Sequence, residues 1–146
     1  MRKASRIVGE ALVELGRRVK PGVTTGELDK FANDFLVKRN CTPAFLGYHG
    51  YPATLCASVN AEVVHGIPGK RVLEEGDIIG IDLGGFYEGY CGDSARTFPV
   101  GKISAEAKKL LAVTWESLNA GIRQIRPGNR IGDIGHAVQV YVEEQG

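Results

Sequence analysis

Two aspartates are the residues of this sequence best suited to chemistry. Asp82 lies inside an apolar, strand-like run, IIGIDLGG, and Asp93 follows eleven positions later in YCGDSART. An isolated carboxylate is costly to bury, so such a residue normally has a cation or hydrogen-bond partners. A turn at residues 87–89 would place the two on adjacent antiparallel strands, where facing side chains are about 5 Å apart at Cβ. Carboxylates that close repel each other unless a proton or a cation lies between them, which predicts a divalent metal site.

The same spacing is also compatible with two unrelated aspartates, one paired with Arg96 and one in a turn, because D-x10-D is not a specific pattern. His65 is a second candidate, since it follows a short strand and precedes a Gly/Pro turn, although a lone histidine also serves structural roles. Tyr48 and Tyr51 stand among glycines, which let a backbone approach a ligand closely. They are candidates for a pocket lining or for loop anchors.

Composition narrows the class of protein. The 146 residues are 43% apolar and 24% charged, as in ordinary soluble domains. A formal net charge of +1 gives no global field that would recruit nucleic acid or an anionic membrane. No apolar run approaches the roughly 20 residues that span a bilayer. Three cysteines without a CxxC pair favour a reducing, cytoplasmic compartment.

The elements that must position the candidates follow from periodicity and glycine punctuation. Helical spacing predicts a helix over residues 4–19 and a second one from a capping box, Thr24 to Glu27, to about residue 40. Strand-length apolar runs separated by glycine predict a mainly antiparallel sheet over residues 42–101, with a hairpin turn at 87–90. Ser104 is a plausible N-cap for a third helix, and a fourth begins near Ile131.

An internal repeat relates the two helical regions. Residues 12–40 and 118–146 align at an offset of 106, so that Leu12 matches Leu118 and Pro21-Gly22 matches Pro127-Gly128. One interpretation is that helix–Pro-Gly–helix is simply a common pattern. The other is a duplicated unit of two helices and a sheet, with residues 1–103 as the first α/β half-repeat and 104–146 as the helix pair that opens the second.

Four blocks in order, with matching gaps, carry a family resemblance: KPGVTTGELD, PAFLGYHGYPATLCASVNAEVVHGIP, LEEGDIIGIDLGGFYEGYCGDSARTFPVG and IRPGNRIGDIGHAVQ. The sequence closely resembles the type I methionine aminopeptidases. The resemblance implies an α+β, pita-bread (creatinase/aminopeptidase-like) fold with helices on one face of a mainly antiparallel sheet. It also implies that residues 1–146 are a single partial catalytic domain without the second half of the sheet.

The resemblance assigns roles to individual residues. Asp82 and Asp93 match the first two of five metal ligands, with Asp82 chelating one metal and Asp93 bridging both. His65 matches the catalytic histidine that contacts substrate and helps to stabilise the tetrahedral centre. The positions that match the methionine pocket are Tyr48, Tyr51, Cys56 and Phe45. The family's other ligands, one histidine and two glutamates, lie in the later strands, and His136 does not match the ligand histidine.

The implied activity is removal of the initiator methionine from nascent proteins when the next residue is small. The implied cofactors are two divalent metal ions (cobalt, manganese, iron or zinc). Whether this partial site retains them, and whether the chain is active by itself, both stay open. The expected partner is a peptide or nascent-chain N-terminus near the ribosome, with no nucleic acid and no membrane, in the cytoplasm. The alternatives are a non-catalytic pita-bread binding domain and a self-associating half-enzyme, a homodimer through the exposed sheet.

Overall fold

The computed structural model describes residues 1–146, which divide into two compact units, Met1–Ile103 and Ser104–Gly146. The first unit contains two helices and four strands: α1 (Arg2–Gly16), α2 (Thr25–Val37), β1 (Thr42–Pro43), β2 (Leu55–Val59), β3 (Ile78–Tyr87) and β4 (Tyr90–Pro99). The second contains α3 (Ala105–Ile122) and α4 (Ile131–Glu144). This is the predicted α+β class. None of the helices is both long and apolar enough to cross a membrane.

The sheet of the first unit is antiparallel throughout and is built around β3. Strand β4 pairs with β3 along its whole length, while β1 and β2 pair with different parts of β3. The turn between β3 and β4 contains only Glu88 and Gly89, whose φ values are 50° and 79°. Two left-handed residues in a two-residue loop suit the right-handed twist of paired strands. The predicted hairpin is therefore confirmed.

Alternation along the strands gives the sheet two different faces. Ile79, Ile81 and Leu83 of β3 belong to the hydrophobic core, together with buried residues of α1 and α2. The intervening residues point to the opposite face because successive side chains of a strand alternate. We call this second face the site face; the register places on it Cys56 and Ser58 of β2, Gly80, Asp82 and Gly84 of β3, and Asp93, Ala95 and Thr97 of β4.

The helices begin and end for local reasons. Thr24 and Glu27 form the predicted capping box: the Glu27 N–H donates to Thr24 Oγ1 at 3.2 Å, and the Thr24 N–H donates to Glu27 Oε2 at 2.7 Å. Helix α1 ends at Gly16, three residues before the predicted end, because the N–H groups of Arg18 and Val19 both bond the Leu15 carbonyl in a tight turn.

Helix α1 lies directly on strand β4. Gly92 is buried there, and a Cβ at this position would be 2.5 Å from Ser5 N and 2.6 Å from Ala4 C. Both are backbone atoms, so only glycine fits without movement of the helix or the strand.

The second unit is a helix pair. Ser104 caps α3, as predicted, by accepting the Ala107 N–H at 3.0 Å. The two helices pack closely at Gly121, where a Cβ would be 3.0 Å from Val138 Cγ2. Four apolar residues at helical spacing in and just after α3 are nevertheless more than half exposed: Trp115, Leu118, Ile122 and Ile125.

Candidate metal and substrate site

The hairpin places both candidate aspartates inside strands, and neither lies in a turn. The register pairs Asp82 with Ala95, and Asp93 with Gly84. The two carboxylates therefore share the site face as diagonal neighbours, for which the spacing is about 7–8 Å rather than the 5 Å predicted for directly facing residues. The expectation of direct facing was wrong, while the expectation of adjacent strands was right.

The two carboxyl groups interact electrostatically. Burial raises the pKa of half-buried Asp82 to about 6, and the negative charge of Asp93 and a hydrogen bond to it act in the same direction. The charge of His65 and the backbone N–H of Leu83 oppose this shift. Two aspartates that share a hydrogen bond and act on each other's charge are not unrelated, as one of the two interpretations of the sequence would have it. Asp82 therefore keeps its proton to a higher pH than an ordinary aspartate does, and a cation would stabilise the two carboxylates once the proton has left.

His65 lies in the segment between β2 and β3. Its ring is exposed, and its backbone is left-handed, with φ of 54°. Left-handed φ is uncommon for a residue with a side chain, and it persists where surrounding contacts fix it. The effect of His65 on the pKa of Asp82 shows that the two side chains are within electrostatic range.

Of the residues predicted to line the methionine pocket, three have described links to the strands or residues around the aspartate pair, and one has none. Cys56 lies opposite Asp82 in the register, and burial raises the pKa of its thiol. Burial and Cys56 together raise the pKa of Tyr51. Phe45 covers Gly84, where a Cβ would be 2.8 Å from Phe45 Cε1. Tyr48 is 67% exposed and packs edge-on against the His49 ring. No described contact joins Tyr48 to the aspartates.

Two supporting residues were not predicted from sequence. Ser58 is buried on the site face and accepts the Gly66 N–H at 3.1 Å. Asp29 of α2 accepts the N–H groups of Thr54 and Leu55 at 2.8 and 3.0 Å, which fixes the start of β2. Alternation within TLCASV could have placed Ser58 beside Cys56, whereas nothing in the local sequence indicates the long-range bonds of Asp29.

The donor set fits a metal in kind but not in number. Two carboxylates that share one face are suitable oxygen ligands for divalent ions. No group of three or more histidine, cysteine, aspartate or glutamate side chains lies together in a way that could hold a metal ion. Catalytic divalent metals usually have three or more protein ligands, and this pair of aspartates offers two.

Comparison with known proteins agrees with this geometry. The family model of metallopeptidase family M24 matches residues 1–146. The chain belongs to metallopeptidase family M24. Membership implies divalent metal ions as cofactors, without indicating which ones.

Two curated relatives of this M24 chain are bacterial methionine aminopeptidases. The enzyme of Clostridium acetobutylicum is 54% identical over 147 residues, covering 100% of this chain and 59% of that protein. Methionine aminopeptidase 1 of Bacillus subtilis is 52% identical over 145 residues, covering 99% of this chain and 58% of that protein. The chain thus spans just under three-fifths of the length of these relatives.

Solved structures confirm the pita-bread fold of the M24 chain. The methionine aminopeptidase of Thermotoga maritima is 42% identical, with a TM-score of 0.97 over 100% of this chain and 59% of that one. An Xaa-Pro dipeptidase from Bacillus anthracis shares the fold at 24% identity, with a TM-score of 0.83 over 99% of this chain and 39% of that one.

Proposed function

We propose that this chain provides the carboxylate-bearing part of a methionine aminopeptidase site, which removes the initiator methionine from nascent proteins. The observation that carries the proposal is the interacting pair Asp82 and Asp93 on the site face of one hairpin. Identities of 52–54% to methionine aminopeptidases over almost the whole chain favour that activity within the M24 family.

In this proposal each residue has a distinct task. Asp82 and Asp93 hold two divalent ions, together with ligands that this chain does not supply. Such ions, when bound, lower the pKa of a water molecule and polarise the scissile carbonyl. His65 contacts the substrate beside the scissile bond and stabilises the charge that develops there.

The methionine side chain would lie in a pocket of mixed aromatic and sulfur character. The proposed lining is Phe45, Tyr48, Tyr51 and Cys56. Its support is that Cys56 pairs with Asp82 in the register, Phe45 covers Gly84, and Tyr51 interacts with Cys56. A thioether packs favourably against aromatic rings, so this lining suits methionine. The same proposal includes a substrate whose second residue is small and a cytoplasmic location near the ribosome; assembly as a homodimer is the alternative.

The decisive experiment separates metal binding from catalysis. We expect Mn²⁺ titrated into the metal-free chain to bind weakly, and Asp93→Ala to abolish that binding. Asp34→Ala is the matched control, because Asp34 is an exposed carboxylate on α2 paired with Lys30. Mn²⁺ binding that is unchanged in Asp93→Ala would refute the assignment of the metal ligands.

Catalysis is then measured as methionine release from a Met-Ala-Ser peptide in the presence of Mn²⁺. Release that is lost in Asp93→Ala and kept in Asp34→Ala supports the proposed activity. Metal binding without any release by the wild-type chain would refute activity of this chain by itself and leave its family membership intact. Size-exclusion chromatography of the same samples tests the homodimer, which a monomeric elution volume would contradict.

A further inference from the structure

Next to His65, the segment between β2 and β3 is held to strand β2 through Gly66. The Gly66 N–H donates to Ser58 Oγ at 3.1 Å, and the Gly66 carbonyl accepts the Ala57 N–H at 2.8 Å. The Tyr51 hydroxyl lies 3.1 Å from the same carbonyl oxygen and equally far from that of Leu55, so its single proton is shared between the two. Both polar groups of the Gly66 backbone are thus bonded to β2 or to the residues just before it. We call this arrangement the Gly66 clamp.

Packing at the Gly66 clamp is as tight as its hydrogen bonding. A Cβ at Gly66 would be 2.2 Å from Ala57 O and 3.0 Å from Ser58 Cα, both of which are backbone atoms of β2. The segment therefore lies directly on the strand, with no space for a side chain. His65, one residue earlier, is left-handed, so its direction depends on what fixes the next peptide.

The rest of the segment is anchored at a distance from His65. Glu62 accepts the Val59 N–H at 2.8 Å and pairs with Arg71 at 3.1 Å. Gly69 donates to Thr25 Oγ1 at 2.9 Å. These contacts fix the two ends of the segment, while Val63 is 89% exposed near its tip. The Gly66 clamp is the contact adjacent to the histidine.

We propose that Ser58 is a positioning residue that fixes the backbone of His65 through Gly66 and so directs the imidazole towards the aspartate pair. The proposal rests on the role proposed for His65. Among the partners of Gly66, Ser58 is the one whose bonding group can be deleted without changing the main chain or a pocket residue. The Ser58 side chain is itself 8% exposed and lies on the site face, opposite Gly80.

Three variants of the full chain test this inference. Ser58→Ala deletes the acceptor, and Ser58→Thr keeps a hydroxyl at a position whose cross-strand partner, Gly80, has no side chain. Ser117→Ala is the matched control: Ser117 is also a buried serine, 5% exposed, and its hydroxyl donates to the Thr114 carbonyl within α3 at 2.8 Å. A general loss of stability would affect the control as well as Ser58→Ala.

The readouts are local NMR signals of the metal-free protein. In Ser58→Ala we expect the Gly66 amide to exchange about tenfold or more faster, since its acceptor is gone. We also expect the scalar coupling between the His65 N–H and Hα to move from its left-handed value towards a conformational average. Ser58→Thr should restore both signals, and Ser117→Ala should leave both unchanged. Wild-type values in Ser58→Ala, or equal changes in Ser117→Ala, would overturn the proposal.

Kinetics distinguish this inference from the proposed function. If the wild-type chain releases methionine from Met-Ala-Ser, Ser58→Ala should lower kcat by tenfold or more while KM stays within twofold, because the histidine acts on the reacting bond. A change in KM alone would contradict positioning of His65. Absence of release by the wild-type chain would count against the proposed function, and the NMR comparison would still decide whether Ser58 positions His65.

Discussion

Replacing Gly92 by alanine tests how closely helix α1 and strand β4 fix the candidate site. The new Cβ would be 2.5 Å from Ser5 N and 2.8 Å from Ser5 Cα. Ordinary contacts between such atoms are about 3.5 Å or longer, so the helix and the strand must separate by roughly 1 Å. Because Asp93 is the next residue, β4 cannot move without moving a proposed metal ligand.

The expected cost is that of overpacking a core, typically about 1–3 kcal/mol. We expect the upper half of this range, since the obstructing atoms belong to a helix backbone and not to a flexible side chain. At roughly 2–4 °C for each kcal/mol in a protein of this size, the Tm should fall by about 4–12 °C.

The matched control is Gly9→Ala, in α1 itself. Nothing lies within 4 Å of a Cβ at Gly9. Alanine in a helix interior is favoured over glycine by about 0.5–1 kcal/mol, so this variant should raise the Tm. The two glycine-to-alanine changes therefore have opposite predicted signs, because only Gly92 lies against a facing backbone.

The assay is thermal unfolding followed by circular dichroism, with Mn²⁺ titration of each folded variant. We expect Gly92→Ala to bind Mn²⁺ more weakly than wild type, and Gly9→Ala to bind it equally well. A Tm for Gly92→Ala at or above the wild-type value would show that α1 does not rest on β4 as described. Unchanged Mn²⁺ affinity in a destabilised Gly92→Ala would show that Asp93 is placed independently of that contact.

Three further predictions concern pH, a helix cap and a long-range bond. Folding raises the pKa of Asp82 from its ordinary 3.8 to about 6, so the folded chain binds this proton more tightly than the unfolded chain does. The stability of the metal-free protein should therefore fall as pH rises from about 4 to 6. The shift corresponds to at most about 3 kcal/mol of unfolding free energy, and partial exposure of the pair to solvent reduces this to about 1–2 kcal/mol. The free energy of unfolding in urea, measured across this pH range, should not fall in the same way for Asp82→Asn. Equal slopes in the two proteins would contradict the prediction. Thr24→Ala removes the capping box of α2 and should cost about 1 kcal/mol in the same assay, whereas no loss would mean that the cap is not formed in solution. Asp29→Asn keeps an oxygen acceptor but loses the charge that strengthens its bonds to Thr54 and Leu55, so we expect it to lower the free energy of unfolding by about 1 kcal/mol. Asp29→Ala should cause a larger loss, and equal losses in the two variants would show that the acceptor does not contribute.

Local signals in the sequence predicted much of the fold. The capping box at Thr24, the N-cap at Ser104 and the turn at Glu88-Gly89 each depend on residues within a few positions, and each is confirmed. The end of α1 was placed at Val19 because its apolar side chain continues the helical spacing. Val19 does pack against the core, but it lies in the turn after Gly16, so the apolar spacing continues beyond the end of the helix.

The length of the turn determines how the two aspartates are placed relative to each other. A two-residue turn pairs Tyr87 with Tyr90, and each step away from it along β3 is matched by one step along β4. That counting places Asp82 opposite Ala95 and two residues from the partner of Asp93. The strands and the turn at residues 87–90 were predicted correctly, and the diagonal relation follows from that turn, which the expectation of direct facing did not take into account.

The Gly66 clamp could not have been predicted in this way. Its bonds join Gly66 to Tyr51, Ala57 and Ser58, across a segment whose path has no periodic signal. The same holds for Asp29, whose hydrogen-bond donors, the N–H groups of Thr54 and Leu55, lie 25 and 26 residues away. Apolar alternation fixes which face of a strand is buried, but it does not specify which loop returns to cover the other face.

The two-residue turn also bears on the order in which the site is assembled during synthesis. Both aspartates belong to one hairpin, and hairpins form in about 1–10 μs, whereas a ribosome adds only about 5–20 residues each second. The carboxylates can therefore meet as soon as β4 has emerged, long before later parts of a chain are made. Without a cation their mutual repulsion opposes this pairing, so a divalent ion present at that stage would act as a template for the hairpin before it takes part in any chemistry.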